Sequence, residues 1–158
     1  MILDNYENFI QKILDKLSEL GIDVSCLNMD HIGYQASSDE DYDNLASEFD
    51  AIGERVSENI VGGRRVGIYR LNTPLKHQQY TIEAIELYAP KNGQICLSGL
   101  EHAEFILLAS FESFLKKYPL VPWDKSAISQ PDFPQIKLRI DQNAQVKFHL
   151  TPVLDIVK

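Results

Sequence analysis

Cysteine is scarce, positive charge is in deficit and long apolar runs are missing, and each shortage removes a class of protein. Cys26 and Cys96 form no CxxC pair and cannot build a disulfide framework, so two reduced, buried thiols are expected. With 15 basic against 23 acidic side chains the formal charge is −8. Such a chain has little attraction for phosphate backbones or anionic lipid, so neither a nucleic-acid nor a membrane partner is expected. No apolar run approaches the roughly 20 residues that span a bilayer. Residues 1–20 lack the basic start and apolar stretch of a signal peptide, and the expectation is a cytoplasmic protein. No GxGxxG or Walker pattern is present, since Gly62-Gly63 reads as a hairpin turn, and Ser, Cys and His fall into no nucleophile motif.

The composition that remains is that of an ordinary globular chain, with 44% apolar and 24% charged residues. Its length suits one good core, so residues 1–158 are expected to form a single domain. Ile10, Leu14, Leu17 and Leu20 recur at helical spacing, and Gly21 stops that helix, which occupies residues 1–21. A first unit then runs over 25–93. Its elements are a strand from Met29, a helix capped by Ser37 or Ser38, a strand from Ile52 to Val61, a strand from Arg64 broken by Asn72-Thr73-Pro74, and a strand from Tyr80 to Tyr88. A second unit, 99–151, repeats the order: an extended stretch through His102, a helix capped by Ser110, and a proline-rich loop with a short edge strand near Ala127–Ser129. The alternating Ile136–Ile140 strand and a strand from Val146 to Leu150 close it. Thr151-Pro152 reads as the cap and first residue of a last short helix.

The fold class is therefore α+β: two βαβββ units forming a cupped mixed β-sheet with helices outside, plus an N-terminal helix. The repeat is marked by Asp30-His31-Ile32 in the first unit and Glu101-His102-Ala103-Glu104 in the second. Alternate side chains of a strand point to opposite faces, so His31 shares a face with Gly33 and Gln35, and His102 with Glu104. Each unit closes on a strand bearing a further donor, Glu86 or His149. Three imidazoles and a carboxylate suit a borderline divalent ion such as Zn, Fe, Mn, Ni or Co. Residue types and parity leave a second reading standing: core histidines hydrogen-bonded to adjacent acids.

The stretches Asp30-His31-Ile32, Ser57–Arg64, Ile85-Glu86-Leu87, Gly99–Glu104 and Lys147-Phe148-His149, in this order, resemble the YecM family. That family is taken here as a branch of the vicinal oxygen chelate (glyoxalase/dioxygenase-like) superfamily. The resemblance implies a metal on the concave face of the sheet, carried over by position to His31, Glu86, His102 and His149. The superfamily commonly has Glu on its final strand, where this chain has His149. It also implies that such a site can be assembled across a dimer. It aligns Arg64, which enters the cup to bind an anionic substrate or stays a solvent-facing charge. Glu104 is the candidate catalytic base, or an acceptor supporting a ligand. The expected function is a divalent-metal-binding enzyme acting on a small organic substrate, of isomerase, lyase or oxidoreductase type. The rival is a non-catalytic protein that uses the same cup to bind a metabolite or metal.

Overall fold

The protein is described here over residues 2–157 of a computed structural model. Helix α1 (Tyr6–Glu19) buries Phe9, Ile10, Ile13 and Leu17 along one stripe. It ends at Gly21, whose φ of +72° is a left-handed turn that favours glycine. The first unit follows as β1 (Asn28–Gln35), α2 (Asp39–Asp50), β2 (Gly53–Val61), β3 (Arg64–His77) and β4 (Tyr80–Tyr88). The second is β5 (Gly99–Ile106), α3 (Phe111–Lys117), β6 (Ile136–Asp141) and β7 (Ala144–His149), followed by the short α4 (Val153–Ile156). Ser38 and Ser110 cap α2 and α3 in the same way, each hydroxyl accepting the backbone N–H three residues on. Among the described residues no helix is long and apolar enough to cross a membrane.

The strands form one curled sheet in the order β2-β3-β4-β1-β5-β7-β6. Strand β1 pairs parallel with β4, and β5 parallel with β7, while β1 and β5 meet antiparallel at the centre. The two units are therefore related by a local twofold passing between the paired residues Ile32 and Ala103. The fold is mixed α+β, with the expected N-terminal helix.

One face of the sheet carries the main core. Ile32, Ile85, Leu87, Ala103, Phe105, Val146 and Phe148 pack there beneath residues of α1, α2 and α3. Tyr34, on the same face, meets the Phe49 ring of α2 edge-on. The other face holds a small cluster in which Val153 of α4 packs on Ile68 and Ala84. This is also the face of His31, His102 and Glu104.

Several local expectations are corrected. Asn72-Thr73-Pro74 does not end β3; the strand runs on to His77, with a register shift between Arg70 and Leu75 that absorbs the proline. The edge strand expected near Ala127–Ser129 is not formed. Among the described residues the proline-rich loop pairs with the sheet through a single bridge, Asp124 to Lys137, so the second unit has three strands against four. Helix α4 starts at Val153, with Pro152 at the cap position and no side-chain cap from Thr151. Cys26 is exposed and Cys96 partly so, and both are free thiols.

Candidate metal centre

Strict alternation would place Asp30 and Glu101 behind their histidines, on the core face. Each is instead the extra residue of a bulge. Between the pairs Met29–Phe105 and His31–Glu104, β1 advances two residues and β5 one; between Gly33–His102 and Tyr34–Leu100 the count is reversed. The bulges put each acid beside the imidazole that follows it. Asp30 Oδ2 lies 2.8 Å from His31 Nδ1, and Glu101 Oε2 lies 3.4 Å from His102 Nδ1. Holding Nδ1 in this way turns each Nε2 toward the centre.

The two Nε2 atoms face two carboxylates. His31 Nε2 is 3.7 Å from Glu86 Oε2 and 3.4 Å from Glu104 Oε1; His102 Nε2 is 3.6 Å from Glu86 Oε1 and 3.4 Å from the same Glu104 Oε1. Four donor atoms, one from each residue, lie within 4.8 Å of one another. Bonds of about 2.0–2.2 Å at tetrahedral angles would set neighbouring donors about 3.3–3.6 Å apart, so the spacing fits a transition-metal ion. The side chains of His31, His102 and Glu104 are all but fully buried, and Glu86, 19% exposed, marks the way in. Gly33 is part of this construction. A Cβ there would lie 2.1 Å from the His102 ring, so the imidazole occupies the space a side chain would fill.

The buried polar atoms are incompletely satisfied. His31 Nε2, both ring nitrogens of His102, both of His149 and Glu104 Oε2 make no hydrogen bond. Four of these atoms face an ion-pair neighbour, His102 Nδ1 with Glu101, His149 Nε2 with Asp30, and His149 Nδ1 with Glu104 Oε2. That leaves His31 Nε2 and His102 Nε2, turned to the same two carboxylates, as the pair expected where a cation belongs. Burial alone would raise the Glu104 carboxyl, but His31, His149 and Lys147 hold it well below its ordinary range. Burial opposes ionisation of Glu86 too, and His31, His102 and Lys147 outweigh it. Asp30, despite burial, is held at about 2 by His149, His31 and the Val153 N–H. Glu101 is likewise held at about 2, with His102, Lys147 and Gln145 overriding its burial. Burial would lower His31 and His149, but Glu104 and Asp30 raise both, so the cluster is balanced by imidazole protons that a binding cation would displace.

The structure thus brings together His31, Glu86 and His102, and the fourth member of the group is Glu104. His149 belongs to an adjoining group with Asp30 and His31. Its Nε2 is 3.2 Å from Asp30 Oδ2, and its Nδ1 is 2.9 Å from Glu104 Oε2. The reason lies in register. Glu86 pairs with Gly33, two residues past His31; the equivalent position, two past His102, is Glu104, and its partner on β7 is Lys147. His149 is on the expected face but two residues, or about 6.6 Å, further along the strand. Arg64, first residue of β3 after the left-handed Gly62 and Gly63, lies over the Tyr88 ring at 5.2 Å, and Tyr88 stacks on His102 at 5.6 Å. It flanks the donors without touching them. Residue types and strand parity alone do not single out Asp30 and Glu101 as site residues. The signal for them was present in the sequence, as an acid directly before each repeated histidine, but only the bulges make it effective. Asp30 Oδ2 also accepts the Val153 N–H at 2.9 Å, tying α4 to the site.

Comparison with known proteins agrees with this architecture at the level of fold and family. A solved structural-genomics structure, Protein EC4020, superposes with a TM-score of 0.82 at 21% identity, covering 99% of this chain and 89% of that one. A hypothetical protein, BH1468 from Bacillus halodurans, superposes with a TM-score of 0.54 at 14% identity, over 79% of this chain and 94% of that one. Among curated sequences, an uncharacterized protein of Haemophilus influenzae is 30% identical over 73% of this chain and 58% of its own length. Protein YecM of Escherichia coli is 30% identical over 60% of this chain and 50% of its own length. The chain therefore spans little more than half the length of the curated relatives it matches. The family model for YecM protein matches residues 1–152, and the chain belongs to the YecM family.

Proposed function

We propose that the protein binds a divalent transition metal through His31, His102, Glu86 and Glu104, and that the bound ion serves the chemistry of a small organic substrate entering past Glu86. The observation that carries this reading is the convergence of four donors, two of them imidazoles whose Nε2 atoms are buried and make no hydrogen bond. Two imidazoles and two carboxylates suit Zn, Fe, Mn, Ni or Co. The paired units, with donors on the first strand of each, are the arrangement expected of a vicinal oxygen chelate protein, which supports an isomerase, lyase or oxidoreductase type of reaction. A bound ion would supply Lewis acidity toward substrate oxygens. Asp30 and Glu101 fix the imidazoles. Glu104 divides its roles between two oxygens: Oε1 faces both Nε2 atoms, and Oε2, turned to His149, is the one placed to exchange a proton. Arg64, against Tyr88, lines the approach and attracts an anionic substrate.

One observation favours the non-catalytic alternative: three of the four donors are almost completely shielded, as in a site built to retain its ion. The two are separated by metal analysis of protein purified without chelator, alongside His31→Ala and His102→Ala. Near-stoichiometric metal in the wild type, lost in both variants, is expected; metal content unchanged in the variants would sink the site. Turnover of 2-oxo acids, hemithioacetals or catechols by the loaded protein then marks an enzyme, and metal-dependent binding without turnover marks a binding protein.

A further inference from the structure

Lys137 and Lys147 form a directly opposed pair on the antiparallel strands β6 and β7. Their strand neighbours Ile136, Leu138, Val146 and Phe148 are all in the main core, so both lysines point to the other face, alongside the metal donors. Like charges directly opposite each other destabilise an antiparallel pair. Water does little to relieve this one: the Lys147 side chain is 14% exposed, and Lys137 is half-buried. Protein carboxylates offset it in part, with Glu104, Glu86 and Glu101 acting on Lys147 and Asp124 and Glu104 on Lys137, but none makes a close pair. The nearest to Lys147 is Glu104 Oε1 at 3.8 Å, the loosest ion pair of the cluster, and among the described residues Lys137 has no carboxylate within 4 Å. Burial, and then the charge of Lys147, push the Lys137 pKa below its ordinary value, with Lys91 adding to the effect and Asp124 and Glu104 opposing it. Gln135, which alternation places on the same face as Lys137, leaves its side-chain oxygen buried without a partner. Two directly opposed lysines, one of them without a carboxylate within 4 Å among the described residues, thus stand on the donor face.

We propose that Lys137 and Lys147 form the binding position for a carboxylate of the substrate. The site then takes a small organic acid that presents oxygens to the metal at one end and a carboxylate to the lysine pair at the other. The inference rests on the metal reading above. Directly opposite residues on antiparallel strands have Cβ atoms about 5 Å apart, close enough for two lysine side chains to converge on one carboxylate. Glu86, Glu101 and Glu104 nearby disfavour a doubly charged group, which selects a carboxylate over a phosphate.

The test compares 2-oxoglutarate with 2-oxopentanoate, which has the same chain without the distal carboxylate, by calorimetric titration into cobalt-loaded protein. The wild type is expected to prefer 2-oxoglutarate by about tenfold or more. Lys137→Met and Lys147→Met should each abolish the preference while retaining metal, and Lys137→Arg should keep most of it. Equal binding of the two acids by metal-loaded wild type, or a preference untouched in both Met variants, overturns the inference. So does inorganic phosphate competing more strongly than glutarate, which would assign the pair to a phosphorylated ligand. Metal content is measured on every sample. A protein that loads no metal refutes the metal reading instead, and the lysine pair is then judged in metal-free protein by whether glutarate protects Lys137 and Lys147 from acetylation; no protection overturns it.

Discussion

The two halves of the molecule share a plan and differ at the positions nearest their common axis. Two residues past its histidine the first half has Gly33 and the second has Glu104, and beside these the parallel strands bring Glu86 and Lys147. One half gives the centre a donor from its closing strand and makes room for the other's imidazole. The other half gives a donor from its opening strand and places a cation where the first has an acid. The edge strand β2 of the first half also has no counterpart in the second, where a loop takes its place in the chain and holds Phe133 edge-on to His149, 4.7 Å between ring centroids. The lesson is that a duplicated scaffold need not carry a duplicated site.

Substitutions in equivalent places test how far the likeness extends. The largest effects are expected in the core that both halves share. Phe49 and Phe148 are fully buried, and Phe49→Ala and Phe148→Ala should each cost about 3–5 kcal/mol. Chemical denaturation should show a single transition in both variants; two separated transitions would mean that the halves fold independently. Next comes Gly33→Ala, which drives a methyl into the His102 ring. It should destabilise the protein by about 1–3 kcal/mol and weaken metal binding well beyond that of a surface variant, as read by competition with a chelator. Wild-type affinity in that variant would show that His102 is not a ligand.

Asp30→Asn and Glu101→Gln probe the element that the halves have most closely in common. Each should lower metal affinity by about 10–100-fold. Comparable losses support equivalent roles, whereas a loss confined to Asp30→Asn would trace its effect to α4 and His149, which only Asp30 contacts. The smallest effects belong to the caps. Ser38→Ala and Ser110→Ala each leave one helix N–H without its acceptor, and thermal unfolding should register about 1 kcal/mol for either.

The broad plan was legible because periodicity and punctuation are local. Ser38, Ser110, Gly21 and the turn at Gly62-Gly63 fall where their residue types demand. The face of each candidate donor was also legible, since parity needs only a strand and a count. What parity cannot supply is register between strands distant in sequence. That is why His149, on the expected face, lies two residues beyond the position facing Glu104, and why Glu104 stands among the donors. Bulges defeat parity itself, so Asp30 and Glu101 appear on a face that counting denies them. Asn72-Thr73-Pro74 and Ala127–Ser129 show the same limit in reverse. Pairing with β4 carries β3 through a proline, and without a partner strand no edge strand forms.

The local twofold between Ile32 and Ala103 has one further consequence. In a true dimer of a single unit, any residue near the axis appears twice. Two glycines at the Gly33 and Glu104 positions would leave the cluster one carboxylate short, and two glutamates would set a side chain where the His102 ring now lies. Covalent linkage of the copies removes that obligation. It lets one copy specialise in space and the other in charge, a division of labour closed to any symmetric assembly of the half-sized unit.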